Sequence, residues 1–312
     1  MKLKYCSIGF LVCALMINRG LAQDIQFGDP KQVIQFYNQS IVEEHKTAAR
    51  FNFREVKVQK LTAFRSGVGV ITVPFSDKVI ASFGGGFNQS NAKMLSQSMG
   101  LAGITIKQKI AKSNTSIALG FQGVYNQNNL NFSSATFQDQ YNIYGPLPGV
   151  STADPLAVNA SYHWLSINAG LSFSHQSDVL KWFIGGSIRH INKPAVSFSK
   201  SSFFELAPTT GVQMGASFKS EQTWLGVVAY QQSKSEATET VLGFTLDRLL
   251  GQQASSSIGG ALYYRFKDAV MPQVSIKFGT TRISFLYELP VQVSVRSINQ
   301  KTGMELSLLK QF

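Results

Sequence analysis

The sequence predicts an all-β fold: a single-domain antiparallel transmembrane outer-membrane β-barrel of about 14 strands. Three observations predict it. A secretory leader opens the chain, alternating stretches of about ten residues fill it, and the final stretch alternates up to a terminal aromatic residue. In that stretch, Gly303 to Phe312, the residues Met304, Leu306, Leu308 and Phe312 share one parity, and Glu305, Ser307 and Gln311 share the other. Successive side chains of a strand point to opposite faces, so the segment reads as a half-buried strand. Following a leader, it is expected to be the closing strand of the barrel.

The leader has a basic start at Lys2 and Lys4, an apolar run from Ile8 to Ile17, and small residues at Gly20 and Ala22. The apolar run is shorter than the roughly 20 residues a spanning helix needs. Residues 1–22 are therefore expected to be a signal peptide, cleaved after Ala22. Both cysteines, Cys6 and Cys13, fall within it, and Val12 before Cys13 argues against lipidation. The mature chain then has no cysteine, and its stability must come from something other than disulfides. A closed barrel supplies this, because every strand pairs and no edge remains.

Loss of Lys2, Lys4 and Arg19 reduces 29 basic residues to 26 against 17 acidic ones, a net charge of +9. The basic balance raises nucleic acid as a partner, but none is expected, because the lysines are spread singly and the expected leader takes the chain out of the cytoplasm. No second apolar stretch approaches the length of a spanning helix. In a barrel that is expected, since lipid-facing and lumen-facing residues alternate and mean hydropathy stays near zero.

Residues 23–45 do not alternate. Phe27, Val33, Ile34, Phe36 and Tyr37 have a loose helical spacing, and the segment is expected to stand in the periplasm ahead of a barrel spanning residues 46–312. Strand candidates follow at 46–57, 60–73, 79–87, 100–112 and 115–125, then at 164–174, 180–191, 196–206, 211–219, 223–232, 238–246, 258–267, 271–279, 282–296 and the terminal stretch. The segment 196–206 alternates least and is assigned to a loop, leaving an even number, as single-chain barrels favour. Pro290 cannot donate to a ladder and predicts a turn, bulge or strand end. Small residues and glycines recur on the polar face. Trp164, Trp182, Trp224, Tyr230, Tyr263 and Tyr264 are expected near the membrane interfaces. The Asn-, Gly- and Pro-rich stretch 127–159 is the longest loop and the first candidate for a recognition surface.

The sequence carries no catalytic, cofactor-binding or metal-ligating motif. His163 and His175 stand at opposite ends of one predicted strand, and His45 and His190 lie on other segments. Gly84-Gly85-Gly86 lacks the Lys-Ser/Thr of a phosphate loop and predicts tight packing in a strand. No G-x-S-x-G elbow occurs. The expectation is a non-enzyme without cofactors.

Three segments together resemble the PorP/SprF family, outer-membrane proteins of the type IX secretion and gliding machinery of Bacteroidetes. They are Trp182 to Phe198 (W-F-I-G-G-S-I-R-H-I-N-K-P-A-V-S-F), Tyr264 to Glu288 (Y-R-F-K-D-A-V-M-P through L-Y-E), and the terminal G-M-E-L-S-L. Near the start, Asp29-Pro30 and Gln35-Phe36-Tyr37-Asn38 match in outline, but Gln39-Ser40 stands where the family continues with Pro-Ala. The resemblance implies a protein that supports export or surface attachment of a secreted adhesin. Its implied partners are outer-membrane lipid, a cell-surface protein with a type IX C-terminal domain, and other secretion components. The alternative is a porin or hydrophobic-solute uptake channel. The basic and acidic residues late in the chain (Arg265, Lys267, Lys277, Arg282, Glu288 and Arg296) suit either a basic-lined pore or a packed interior.

Overall fold

Strands that alternate over ten or more residues have one apolar face to bury and a complete row of backbone donors and acceptors to satisfy. In lipid both demands are met only when the sheet closes on itself. The computed structural model describes residues 25–42, 46–58, 61–90, 95–110, 113–131, 137–142, 144–147, 149–152, 160–199, 202–235, 237–251, 255–291 and 301–312. The expected leader and its cleavage site lie outside them.

The chain runs through β1 (Ala48–Val58), β2 (Leu61–Pro74), β3 (Val79–Ser90), β4 (Leu95–Lys109) and β5 (Thr115–Leu130). A small ribbon, β6 (Tyr141–Asn142) with β7 (Gly145–Pro146), precedes β8 (Ala160–Gln176) and β9 (Leu180–Arg189). A hairpin, β10 (Ala195–Ser199) with β11 (Ser202–Glu205), leads to β12 (Thr209–Ser220), β13 (Thr223–Lys234) and β14 (Ala237–Leu250). The chain ends with β15 (Ser256–Arg265), β16 (Ala269–Phe278), β17 (Thr281–Pro290) and β18 (Lys301–Gln311). The two small ribbons stand apart, and the other strands form one closed antiparallel barrel. The seam is β1 against β18, in register from Ala48 opposite Gln311 to Val58 opposite Lys301.

Side-chain phase agrees around the wall. In β18, Leu306 and Leu308 point outward while Gly303, Glu305 and Ser307 are buried inside. Phe51, Ile71, Phe83, Leu119, Phe121, Phe244 and Val274 continue the outward apolar surface. An aqueous surface would not carry so large a continuous apolar belt, but a lipid-facing one requires it.

The predicted wall strands all form, and 196–206 lies outside the wall, as β10 and β11. Pro290 ends β17, where its missing donor costs nothing further. The run expected to continue to 296 passes outside the described residues after Val291. The long loop begins at 131 rather than 127. Gln127 to Leu130 extend β5 and pair with Ala160 to His163. Four aromatics expected at the interfaces, Trp164, Trp224, Tyr230 and Tyr263, instead have the inward parity, and Tyr230 and Tyr263 are buried in the lumen.

The largest departure concerns the N-terminal segment. Residues 25–42 were expected in the periplasm but lie inside the barrel. They include one short helical turn, α1 (Ile34–Tyr37), whose residues are all buried. The loose helical spacing was a true signal of local structure. The apolar side chains that produced it are covered by the barrel's inner wall.

Leu306 faces lipid opposite Phe53 and Phe285. Leu306→Arg is expected to cost about 2–4 kcal/mol if it lies near mid-bilayer. The urea midpoint of the barrel refolded in vesicles should fall accordingly, and an unchanged midpoint would mean that Leu306 does not face hydrocarbon.

Candidate functional site

The lumen is filled in layers. Its middle is apolar. Ile25, Phe27, Val33, Phe36 and Tyr37 of the internal segment pack against inward residues of many strands, among them Val68, Met99, Val124, Tyr263, Met271 and Leu286. Phe36 and Tyr37 meet edge to face at 5.2 Å, and Tyr37 lies 4.8 Å from Tyr230. The Arg189 guanidinium sits over both Phe36 and Tyr37, 5.9 and 5.7 Å from the ring centres.

Polar groups pin the segment at both ends. Near its start, Glu305 of the closing strand accepts hydrogen bonds from Gly28 N (2.6 Å), Asp29 N (3.2 Å) and Asn52 Nδ2 (2.7 Å). Asp29 accepts from Tyr263 and Gln273 on the wall and caps the turn through Lys31 N and Gln32 N. Burial pushes the Asp29 carboxyl above the ordinary carboxylate range, against the lowering effects of Gln273, Lys31 and Tyr263. At the other end, Asn38 Nδ2 donates to Gly186 O (3.1 Å) and Gln213 Oε1 (2.9 Å). Gln39 Nε2 donates to Ser82 (2.6 Å), Gln39 O accepts from Thr105 (2.6 Å), and Ser40 O accepts from Ser172 (2.9 Å).

Glycines make this second contact possible. A Cβ on Gly120 would stand 2.5 Å from Ser40 N, and one on Gly170 would stand 2.0 Å from Asn38 Oδ1. Gly103 and Gly185 are similarly filled by the side chains of Gln39 and Asn38. These four inward positions, on the neighbouring strands β4, β5, β8 and β9, form a groove without side chains, in which Asn38, Gln39 and Ser40 lie.

Charged residues gather above the apolar layer. Arg54 Nη1 donates to Gln26 O (2.6 Å) and its Nη2 pairs with Glu288 (2.6 Å). Glu288 also pairs with Arg265, which in turn bonds Asp268 (2.6 Å) and faces Glu239 (3.8 Å). Asp268 stands in the turn between β15 and β16. Burial raises its pKa, but Arg265 and Lys301 outweigh that effect and leave it below the ordinary value. Arg265 and Glu288 thus belong to a packed interior, and Arg282 pairs with Asp247 at 2.8 Å on the same wall. Arg296 lies outside the described residues.

The remaining sequence-predicted positions are dispersed. His175 stacks on Trp182, and His190 shares a hydrogen bond with Ser166 (2.8 Å). His163 lies against Tyr125, and His45 is outside the described residues. Gly84 and Gly86 sit tight against backbone, with carbonyls of Gly69 and Gly67 only 2.2 and 2.7 Å from where a Cβ would be. The internal segment's contacts do not follow from alternation alone. Their signal was available as apolar residues on an otherwise polar face: Val68 and Val70, Met99 and Leu101, Met271, Leu286.

The two ends differ. The longest connections, 131–159, 190–208 and 291–300, leave one end, while short turns such as 75–78, 177–179 and 221–222 close the other. Long loops face the exterior and short turns the periplasm in barrels of this kind. The described part of loop 131–159 is tied internally: Leu147 N donates to Gln140 O (2.8 Å) and Gln140 Nε2 to Val150 O (2.6 Å). It presents Tyr141, Tyr144 and Val150 to solvent, with Tyr144 91% exposed.

Fold and lumen together define an outer-membrane β-barrel occluded by its own N-terminal segment. The family described as "Type IX secretion system membrane protein PorP/SprF" matches residues 40–309, and the chain belongs to that family. No curated protein matches the sequence. Among solved structures the chain is similar to the CymD monoaromatic hydrocarbon channel, at 9% identity and a TM-score of 0.51 over 94% of this chain and 95% of that one. A Pseudomonas aeruginosa FadL homologue matches at 9% identity and a TM-score of 0.50 over 95% of this chain and 96% of that one. At these identities the likeness is one of fold. The segments that carried the family resemblance line the interior: Gly303, Glu305 and Ser307 of the closing strand, Arg265 and Glu288 of the ion-pair layer, and Gly185 of the groove.

Gly120→Ala and Gly170→Ala are expected to lift Asn38 to Ser40 off the wall and raise ion conductance in planar bilayers. Gly100→Ala and Gly123→Ala, where a Cβ meets nothing within 4 Å, should behave as wild type. Equal conductance in all four would show that the groove does not hold the segment. Glu288→Ala leaves Arg54 and Arg265 facing each other, and a loss of about 3 kcal/mol is expected by denaturant unfolding. A loss no larger than that of a surface pair would mean that water screens this layer.

Proposed function

We propose that this barrel is a non-enzymatic component of type IX secretion and gliding that supports export or surface attachment of a secreted adhesin. The adhesin would carry the type IX C-terminal domain, and other secretion components would be further partners. The observation that carries the reading is the outer loop 131–159. Internal hydrogen bonds tie its described part, within 137–152, whose exposed side chains include Tyr141, Tyr144, Leu147 and Val150. Exposed aromatics on an ordered loop are the usual anchors of protein recognition. A lumen filled by residues 25–42 favours this role over free diffusion of solutes. In the same reading, residues 1–22 are a signal peptide removed on the way to the outer membrane.

Deleting residues 137–152 is expected to abolish surface retention of the secreted partner while barrel insertion, read by heat-modifiable gel mobility, stays intact. Pull-down of the intact barrel in mild detergent should recover that partner, and pull-down of the deletion should not. Unchanged export and retention would refute the assignment. Steady solute-permeable conductance from the pure wild-type barrel would favour the uptake channel instead.

A further inference from the structure

The periplasmic end of the barrel opens into a cavity of about 790 Å³ that the outer-face role leaves unused. Among the described residues its lining includes five lysines (Lys31, Lys107, Lys109, Lys181 and Lys219) and one carboxylate, that of Asp178. Lys31 is brought there by the internal segment, and the others by the wall strands β4, β9 and β12. Lys107, Lys109, Lys181 and Lys219 have the inward parity, so the barrel wall separates them from lipid headgroups. Among the described residues, Lys31, Lys107, Lys109 and Lys219 form no ion pair. This contrasts with the outer layer of the same lumen, where Arg54 and Arg265 are matched by acidic partners.

We infer that this vestibule is a docking site for an acidic peptide segment of a periplasmic protein. Charge complementarity sets the sign of the ligand, and the spacing of the lysines sets its shape. From β4 to β12 the wall runs β4, β5, β8, β9, β12, which is four steps. At about 4.8 Å per step the outermost lysines are separated by roughly 19 Å along the wall. A single phosphate cannot bridge that arc, whereas an extended chain of about six residues can. The rest of the lining suits a peptide. Ser174 and Ser217 offer hydrogen bonds, and Trp224, under Lys181 at 4.7 Å, offers an aromatic surface. A second cavity of about 230 Å³ shares Lys31, Lys181, Ser217, Trp224 and Thr245 with the first and reaches Arg50; its lining also holds Asp29 and Asp247, the latter paired with Arg282.

The test uses the full-length folded barrel in detergent micelles and fluorescein-labelled hexaglutamate, read by fluorescence anisotropy. Saturable binding that weakens with added salt is expected, with none for labelled hexalysine. The triple variant Lys107→Gln, Lys109→Gln, Lys219→Gln should bind about tenfold more weakly. Lys219→Glu alone should weaken binding severalfold and serves if the triple variant fails to fold. Lys193→Gln with Lys267→Gln, at the outer end, should leave binding unchanged. Deletion of 137–152 should leave it unchanged too, so failure here is distinct from failure of the outer-loop role. Absence of hexaglutamate binding, equal loss in the outer-end variant, or displacement by inorganic phosphate at matched charge would each overturn the proposal.

Discussion

Hydrocarbon offers no partner to a backbone amide, so each strand in the bilayer must find both of its neighbours. The eleven-residue β18 meets this demand for the whole wall by pairing with β17 on one side and β1 on the other. Because closure links the first strand to the last, the phase of side chains cannot slip on one strand without turning its apolar face inward. The outward Leu306 and Leu308 and the inward Glu305 and Ser307 are two results of this single register. The same register brings Glu305 next to Asn52 across the seam, and together they create an acceptor for the internal segment.

A closed wall of this size creates a second problem. About eight strands enclose an interior that side chains alone can fill; this wall has fourteen. Residues 25–42 fill the excess, and the wall is shaped to receive them. Inward glycines let Asn38 to Ser40 approach backbone to backbone, and inward apolar residues meet Phe36 and Tyr37. Above this layer Arg54 and Arg265 are buried against Glu288, as a low-dielectric interior favours. The interior therefore resembles the core of a soluble domain more than the wall of a channel.

The filled lumen makes the two mouths of the barrel separate surfaces. The outer one carries the longest connections, and the described part of 131–159 is internally bonded and exposes Tyr141 and Tyr144. The periplasmic one is a basic vestibule into which the internal segment itself contributes Lys31. A family tied to secretion is suited by such a plan, in which two chemically dissimilar faces are separated by the filled lumen.

Much of this was legible in the residues. Alternation of polarity located every wall strand, because the bilayer and the lumen impose opposite chemistry on neighbouring positions. It also excluded 196–206 and marked Pro290 as a boundary. The terminal Gly303, Glu305 and Ser307 pointed to the family. Alternation was silent on the meaning of the exceptions. Tyr230 and Tyr263 read as interface aromatics, and Phe27 to Tyr37 as a periplasmic preface. A strand's periodicity states which residues share a face, but not what stands opposite that face across a lumen. The sequence by itself determined the wall, its phase and its strand number, all consequences of short-range period and of the solvent. Only the tertiary structure decided that the chain fills its own barrel and gathers scattered lysines at one mouth, because both depend on contacts between residues hundreds of positions apart.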